Sequence, residues 1–364
     1  MKDPWKMGLA ELTAEAEAKN RRQNGEVVTY VVNRNANFTR VCQVGCSFCG
    51  FGRRPGTAGA TTDRIDEVVA RVGRTPWVSE VCLQGGIDPD LKPEYYLDLA
   101  RALREAFPHL HLHAFSPMEI DSLCEKSGRE PEEMVAKLRA AGVGSIPGTA
   151  AEILVDAVRR KISRNKLPVA RWVRIVRAAH RAGLRSSATL MFGHVESWED
   201  IREHFGVLRR IQEETGGFTE LVPLAFIPNQ NRLGALLARR WGGMGRLEAR
   251  IRRRARRLYP LARMVLGDVI PNLQTSWVKL GPERAGESLS WGCNDFGGTL
   301  YEESITRSSG GQHGEKMEPE EIEGVIRSAG REPRVRSTLY GTVKNPFSLG
   351  KKSCQASVGG HFGL

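Results

Sequence analysis

From Val27 onward the chain repeats one grammar: a short apolar or alternating run, a turn, then an apolar pattern of helical period. VVTYVV (Val27–Val32) is followed by Ile65, Val68, Val69 and Val72 at i, i+3, i+4 and i+7, with Asp63 as N-cap. VSEVCL (Val78–Leu83) leads to a helix from Pro93 to about Phe107, and HLHLHAF (His109–Phe115) to a helix near Pro131–Ala141 that stops at Gly142. VGSIPG (Val143–Gly148) is followed by helices from about Ala150 and over Val169–Ala182. RSSATLMF (Arg185–Phe192) precedes a helix from about Trp198 to Glu214, and Thr219–Ile227 a helix rich in arginine. Pro271–Trp277 reads as a strand before a helix near Glu283–Leu289, and Asn294–Gly298 as a last short strand. Strands separated by helices must run parallel, joined by crossovers. About eight such units predict an α/β fold, a (β/α)8 barrel of the TIM type. The doubly wound alternative lacks its G-x-G-x-x-G turn here. Residues 1–24 read as a helical lead-in, 25–314 as the barrel and 315–364 as a helical cap with a loosely ordered tail from Gly341.

Cys42, Cys46 and Cys49 follow the first strand at C-x3-C-x2-C spacing, with Phe48 before the third. A closed structural zinc site takes four ligands. Three thiolates holding a 4Fe–4S cluster leave one iron with a free coordination position. The spacing and the aromatic resemble the signature of the radical S-adenosylmethionine (SAM) superfamily, in which that iron binds SAM. A zinc site completed by a distant histidine is the rival reading, but no second C-x2-C or H-x3-H pair occurs. Cys82, Cys124, Cys293 and Cys354 stand singly and read as core residues or free thiols.

In such a barrel the active site forms at the C-terminal ends of the strands. The polar residues expected there are Gln84-Gly85-Gly86, His113 to Glu119, Gly148 to Glu152, His194 and Glu196, Asn229 to Asn231, Gln274, Ser276 and Trp277, then Asn294 and Asp295. Glu119 and Glu152 also suit helix starts, where carboxylates meet the positive end of the dipole.

The chain carries a net charge of +12, and RLEARIRRRARR (Arg246–Arg257) concentrates it. Nucleic acid is the first partner such a balance brings to mind. Leu247, Ile251, Ala255 and Leu258 recur at helical spacing there, so the stretch reads as an amphipathic helix with a solvated arginine face. No interleaved aromatics mark base stacking. No run approaches the roughly 20 apolar residues of a membrane span, and the N-terminus lacks a signal-peptide core. Free thiols and an oxygen-sensitive cluster suit a cytoplasmic setting.

Across most of the chain, NRNANFTRVCQVGCSFC, EVCLQGGIDPDL, HAFSPMEI, SIPGTAAEIL, ATLMFGHVE, QTSWVKLG and NDFGGTLYEESI, in that order, closely resemble the second subunit of the deazaflavin (FO) synthase. That family consists of radical SAM transferases that move a 4-hydroxybenzyl group from L-tyrosine to 5-amino-6-(D-ribitylamino)uracil. Two futalosine-pathway enzymes of menaquinone synthesis share the cysteine motif, but SWVKLG and NDFGGTL favour the deazaflavin family. The resemblance implies that Cys42, Cys46 and Cys49 hold the 4Fe–4S cluster, while Phe48, Gln84, Gly85, Gly86 and Glu152 contact SAM. His194, Gln274, Asn294 and Asp295 would serve tyrosine or the uracil. It also implies an external electron donor and docking with the partner enzyme that completes FO. The sequence departs from the family at Gly50, at Cys293 and in IPNQNRLG after the sixth strand, a loop that faces the site.

Overall fold

A computed structural model describes residues 2–343. Among these, β1 (Val27–Val31) and β2 (Asn33–Asn37) form one strand interrupted at Val32. From β2 a parallel sheet runs through β3 (Glu80–Gln84), β4 (His111–Ala114), β5 (Ser145–Ile146), β6 (Arg185–Phe192) and β7 (Phe218–Ala225). From β1 a second sheet takes in β8 (Asp295–Gly298) and β9 (Glu332–Val335), also parallel. The gap between β7 and β8 is bridged by Leu273, which pairs with Leu221, and Gln274, which pairs with Asp295. With that two-residue rung the ring closes as a (β/α)8 barrel.

The expected seventh strand, Pro271–Trp277, is thus reduced to Leu273 and Gln274. Trp277 instead begins a helical turn, Trp277–Leu280, which its indole anchors by donating to the Gly298 carbonyl at 2.8 Å. The arginine-rich segment is a single helix, Met244–Leu266, burying Leu247, Ile251, Ala255 and Leu258 as the periodicity predicts. Arg254 and Arg263 are buried with them. The lead-in is the helix Leu9–Asn24, which lies beside this arginine helix. No helix among the described residues is long and apolar enough to cross a membrane.

The segment after residue 315 forms the helix Pro319–Ser328 and then β9, whose residues pair with Val27–Tyr30. Beyond β9, Arg336 turns its guanidinium into the barrel base. The part of the expected tail beyond residue 343, with Cys354, lies outside the described residues.

Because every barrel strand is parallel, their C-terminal ends share one mouth. The loops leaving Asn37, Gln84, Ala114, Ile146, Phe192 and Ala225 converge there. The apolar core fills the space between strands and helices, with Phe38, Tyr96 and Phe115 packed edge to face below the cysteine loop.

Candidate active site

At that mouth lies a cavity of about 240 Å³, and Cys42, Cys46 and Cys49 line it. Phe48, Gln84, Gly85, Gly86 and Glu152 line it too, so the structure brings all eight residues onto one wall-to-wall surface. The strand leaving β2 carries Cys42 alongside the Gly85-Gly86 turn. Gly86 N–H donates to the Thr39 carbonyl and Gln43 N–H to that of Ile87, both at 2.9 Å.

These glycines have a steric reason. A Cβ on Gly86 would lie 2.1 Å from the Val41 carbonyl oxygen and 3.0 Å from Cys42 Cβ. On Gly85 it would meet the Thr39 methyl at 2.7 Å. A Cβ on Gly52 would sit 3.0 Å from Cys42 Cβ, 3.6 Å from its sulfur and 3.9 Å from that of Cys49. The loop is therefore a cradle around the sulfurs, kept open by residues without side chains. Gly86→Ala should push the Cys42 segment outward and lower the iron content of reconstituted protein by half or more. Iron and sulfide analysis checks this, with a circular dichroism spectrum showing the barrel intact.

A cluster fits this donor set. Cys42, Cys46 and Cys49, three thiols from one loop, border the cradle, and thiolates are the ligands an iron–sulfur cluster takes. Burial pushes the Cys46 thiol up to about 12. Binding a soft metal there must displace that proton, so loading is coupled to proton release.

Two lysines also line the cavity. Lys166 is held by the Glu152 carboxylate, and its ammonium stands 5.3 Å from the Phe48 ring centre. Burial works against its charge, but Glu152 and Cys46 outweigh burial and raise its pKa. Lys279 has its pKa lowered by burial, against the opposing pull of Glu303 and Cys49. Neither lysine stood out in the sequence among 54 basic residues. The one available cue for Lys279 was a charge set inside the apolar run Trp277–Leu280.

Glu119 lines the cavity as well and closes a capping box with Ser116. It accepts the Gly85 N–H at 3.0 Å, tying that turn to the next helix. Burial raises its carboxyl to about 7. Ala150 (φ 72°) and Glu152 (φ 42°) hold left-handed backbone, which side chains adopt only where surroundings over-determine it. Arg159 supplies that constraint by donating to the Ala150 and Ala151 carbonyls at 2.9 and 2.6 Å.

The remaining four expected residues stand away from the cavity lining. The His194 side chain is fully buried, with Nε2 2.9 Å from the Met191 carbonyl and Nδ1 3.3 Å from Glu196. Glu196 in turn pairs with Arg254 at 2.8 Å. Asn294 accepts from Arg263 at 2.6 Å and from Leu273 N–H at 2.8 Å, which fixes the closing rung. Asp295 opens β8 at the barrel base and pairs with Arg336, whose Nη2 also lies 3.5 Å from Gln274 Oε1.

A parallel barrel whose first loop presents three thiols to a cavity at the strand C-termini is the architecture of radical SAM enzymes. The radical SAM superfamily model matches residues 36–208, and the CofH/MqnC C-terminal region matches 217–349. Among solved structures, methylornithine synthase superposes over 92% of this chain and 90% of its own, with a TM-score of 0.66 at 15% identity. The hydrogenase maturase HydG from Carboxydothermus hydrogenoformans gives 0.65 at 13% identity, over 91% of this chain and 73% of its own. At those identities the likeness concerns the fold.

Sequence relatives are more specific. The chain is 42% identical to the 5-amino-6-(D-ribitylamino)uracil–L-tyrosine 4-hydroxyphenyl transferase of Methanococcoides burtonii, over 92% of both chains. It is also 42% identical to that of Archaeoglobus fulgidus, over 89% of this chain and 91% of the relative. The FO synthase of Mycobacterium tuberculosis is 45% identical across 91% of this chain, which spans 38% of that longer protein. The chain belongs to the family of 5-amino-6-(D-ribitylamino)uracil–L-tyrosine 4-hydroxyphenyl transferases.

Proposed function

We propose that the protein transfers the 4-hydroxybenzyl group of L-tyrosine to 5-amino-6-(D-ribitylamino)uracil, as the names of its relatives describe. The observation that carries this reading is 42% identity along 92% of the chain, together with a cavity that all three loop cysteines line. Cys42, Cys46 and Cys49 would hold a 4Fe–4S cluster, and Phe48, Gln84, Gly85, Gly86 and Glu152 would hold SAM against it. When bound, the pair supplies one-electron cleavage of a carbon–sulfur bond and hydrogen abstraction.

The chain's own task is placement. Ile87, Met118, Leu190, Leu224, Phe226 and Ile227 wall the cavity, excluding water and giving a phenol ring an apolar seat. Fixing the reactants at one wall replaces diffusion with orientation, so that one hydrogen of the substrate is the one removed. Lys166 and Glu152 neutralise each other, so the pair adds polarity beside Cys46 without adding net charge.

An external one-electron donor is part of the reading. Arg54, Arg160, Lys161 and Arg164 are exposed around the cysteine loop, where Ser47 bonds the Ile162 carbonyl and Asn165 that of Val44. Such a collar suits an acidic carrier. The fused FO synthases support docking of this chain with the enzyme that completes the product.

The test is product analysis by mass spectrometry after anaerobic reconstitution with SAM, a reductant, L-tyrosine and the diaminouracil. The expected product carries the mass of the hydroxybenzyl adduct and incorporates label from ring-labelled tyrosine. Turnover of a futalosine-type substrate, with no adduct from tyrosine, would overturn the reading.

A further inference from the structure

We infer that Lys279 is the site for the α-carboxylate of the amino-acid substrate; this rests on the tyrosine reading above. The cavity presents two ammonium groups. Lys166 is paired with Glu152. The Lys279 ammonium makes no hydrogen bond or salt bridge to the described residues. The Glu303 carboxylate acts on that ammonium through space without an ion pair, while it accepts the Thr306 N–H and hydroxyl at 3.0 Å. An ammonium group facing a largely apolar cavity without a hydrogen-bonded anion is costly, and a ligand carboxylate in direct contact lowers that cost.

Among the reactants, the ribityl-uracil carries no carboxylate. The SAM carboxylate would be taken, on the radical SAM resemblance, by the iron that three cysteines would leave open. The zwitterionic amino acid brings the remaining anion.

Placement favours the same assignment. Lys279 sits on a rigid turn: its own N–H bonds the Ser276 carbonyl at 3.1 Å, and the Trp277 indole is pinned to Gly298. The turn follows the closing rung of the barrel, and Lys279 lines the cavity at the mouth together with the apolar Leu224 and Ile305. A carboxylate held there leaves the amino group and the phenol free to extend over the cavity. Lys279 is thus a substrate-positioning residue.

The experiment compares L-tyrosine with tyramine, which lacks only the carboxylate, on reconstituted protein with SAM present. Calorimetric binding and steady-state kinetics are read together. Wild type should bind tyrosine at least roughly 10-fold more tightly than tyramine. Lys279→Met should weaken tyrosine binding by roughly 10- to 100-fold, the range for loss of a charge-assisted hydrogen bond. It should raise KM more than it lowers kcat, while leaving tyramine binding, SAM binding and iron content unchanged. Lys279→Arg should retain a preference for tyrosine.

Equal binding of tyrosine and tyramine by wild type would overturn the inference, as would unchanged tyrosine binding by Lys279→Met. A fall in SAM affinity or iron content in Lys279→Met, with tyrosine preference intact, would reassign the lysine to the Cys49 side and also overturn it. If wild type bound neither amine while turning over another substrate, the functional reading itself would have failed. A substitution that failed to fold would leave the wild-type comparison to decide.

Discussion

Cys46→Ala should abolish cluster binding and reduce SAM cleavage to background, while the barrel stays folded. Cys46 lines the cavity, and burial pushes its thiol up to about 12. Its contribution to the barrel is small, because the core lies below the loop and the loop is held by backbone bonds. Ser47 N–H donates to the Ile162 carbonyl at 2.8 Å and Cys42 N–H to that of Arg53 at 2.7 Å. Those bonds do not involve the Cys46 sulfur. The loss should exceed the roughly 10- to 100-fold that changes to outer-shell partners cost in metal sites, because a ligand itself is removed. Iron and sulfide analysis, the visible absorbance of the cluster and 5′-deoxyadenosine formation check the outcome, with thermal unfolding as the control for folding. An intact cluster spectrum with full turnover would sink the three-cysteine assignment, and zinc near one per chain without sulfide would revive the rival metal site.

The parts legible in the sequence were those that one local pattern encodes. Apolar periodicity located the strands and helices, and their alternation dictated a parallel barrel before any long-range contact was known. The cysteine loop and Gln84-Gly85-Gly86 were legible because few residue types do that work. In the structure Gly86 makes room for the Val41 carbonyl and Cys42, and Gly85 for the Phe38 and Thr39 side chains. Elements without a local pattern were overdrawn or escaped. The closing rung, expected over Pro271–Trp277, is only two residues long, and β9, which was not expected, reads Glu-Pro-Arg-Val, with a proline that sequence rules place at sheet edges. Its pairing with β1 depends on residues about 300 positions away, which no periodicity reports. Lys166 and Lys279 became visible only when folding separated two cavity-facing lysines from a surface full of similar charges. Asn294 and Asp295 were expected to meet substrate because they were assigned with the eighth strand to the active-site face, yet Asp295 opens that strand at its N-terminal end. Their observed partners, Arg263 and Arg336, come from a distant helix and from the C-terminal segment.

Arg336→Met should be the most destabilising single change outside the apolar core, costing roughly 3–5 kcal/mol, the range for stripping one partner from a buried ion pair. The side chains of Arg336 and Asp295 are 6% and 0% exposed, so solvent offers the stranded carboxylate little relief. In the native protein Asp295 receives Arg336 Nε and Nη2, the Thr29 hydroxyl at 2.6 Å and the Gly297 N–H at 2.8 Å. Removing the guanidinium leaves only the two neutral donors. The Arg336 guanidinium also lies 4.1 Å from the Tyr340 ring centre, so its loss loosens the segment that seals the barrel base. Glu220 lies close enough to Arg336 for the cation to lower its pKa, yet burial prevails and raises that carboxyl to about 7. The pair that counts is therefore Arg336 with Asp295. Adding Asp295→Asn to Arg336→Met should recover much of the lost stability, because an uncharged amide no longer needs the cation. Denaturant unfolding of the two single variants and the double variant forms a cycle that isolates this coupling. If Asp295 instead worked mainly on substrate, Asp295→Asn alone would reduce product formation with stability unchanged, and the cycle would show no coupling. Strong coupling would tie the C-terminal segment to the barrel through one buried charge pair, making residues 332–340 part of the fold on which the active site stands.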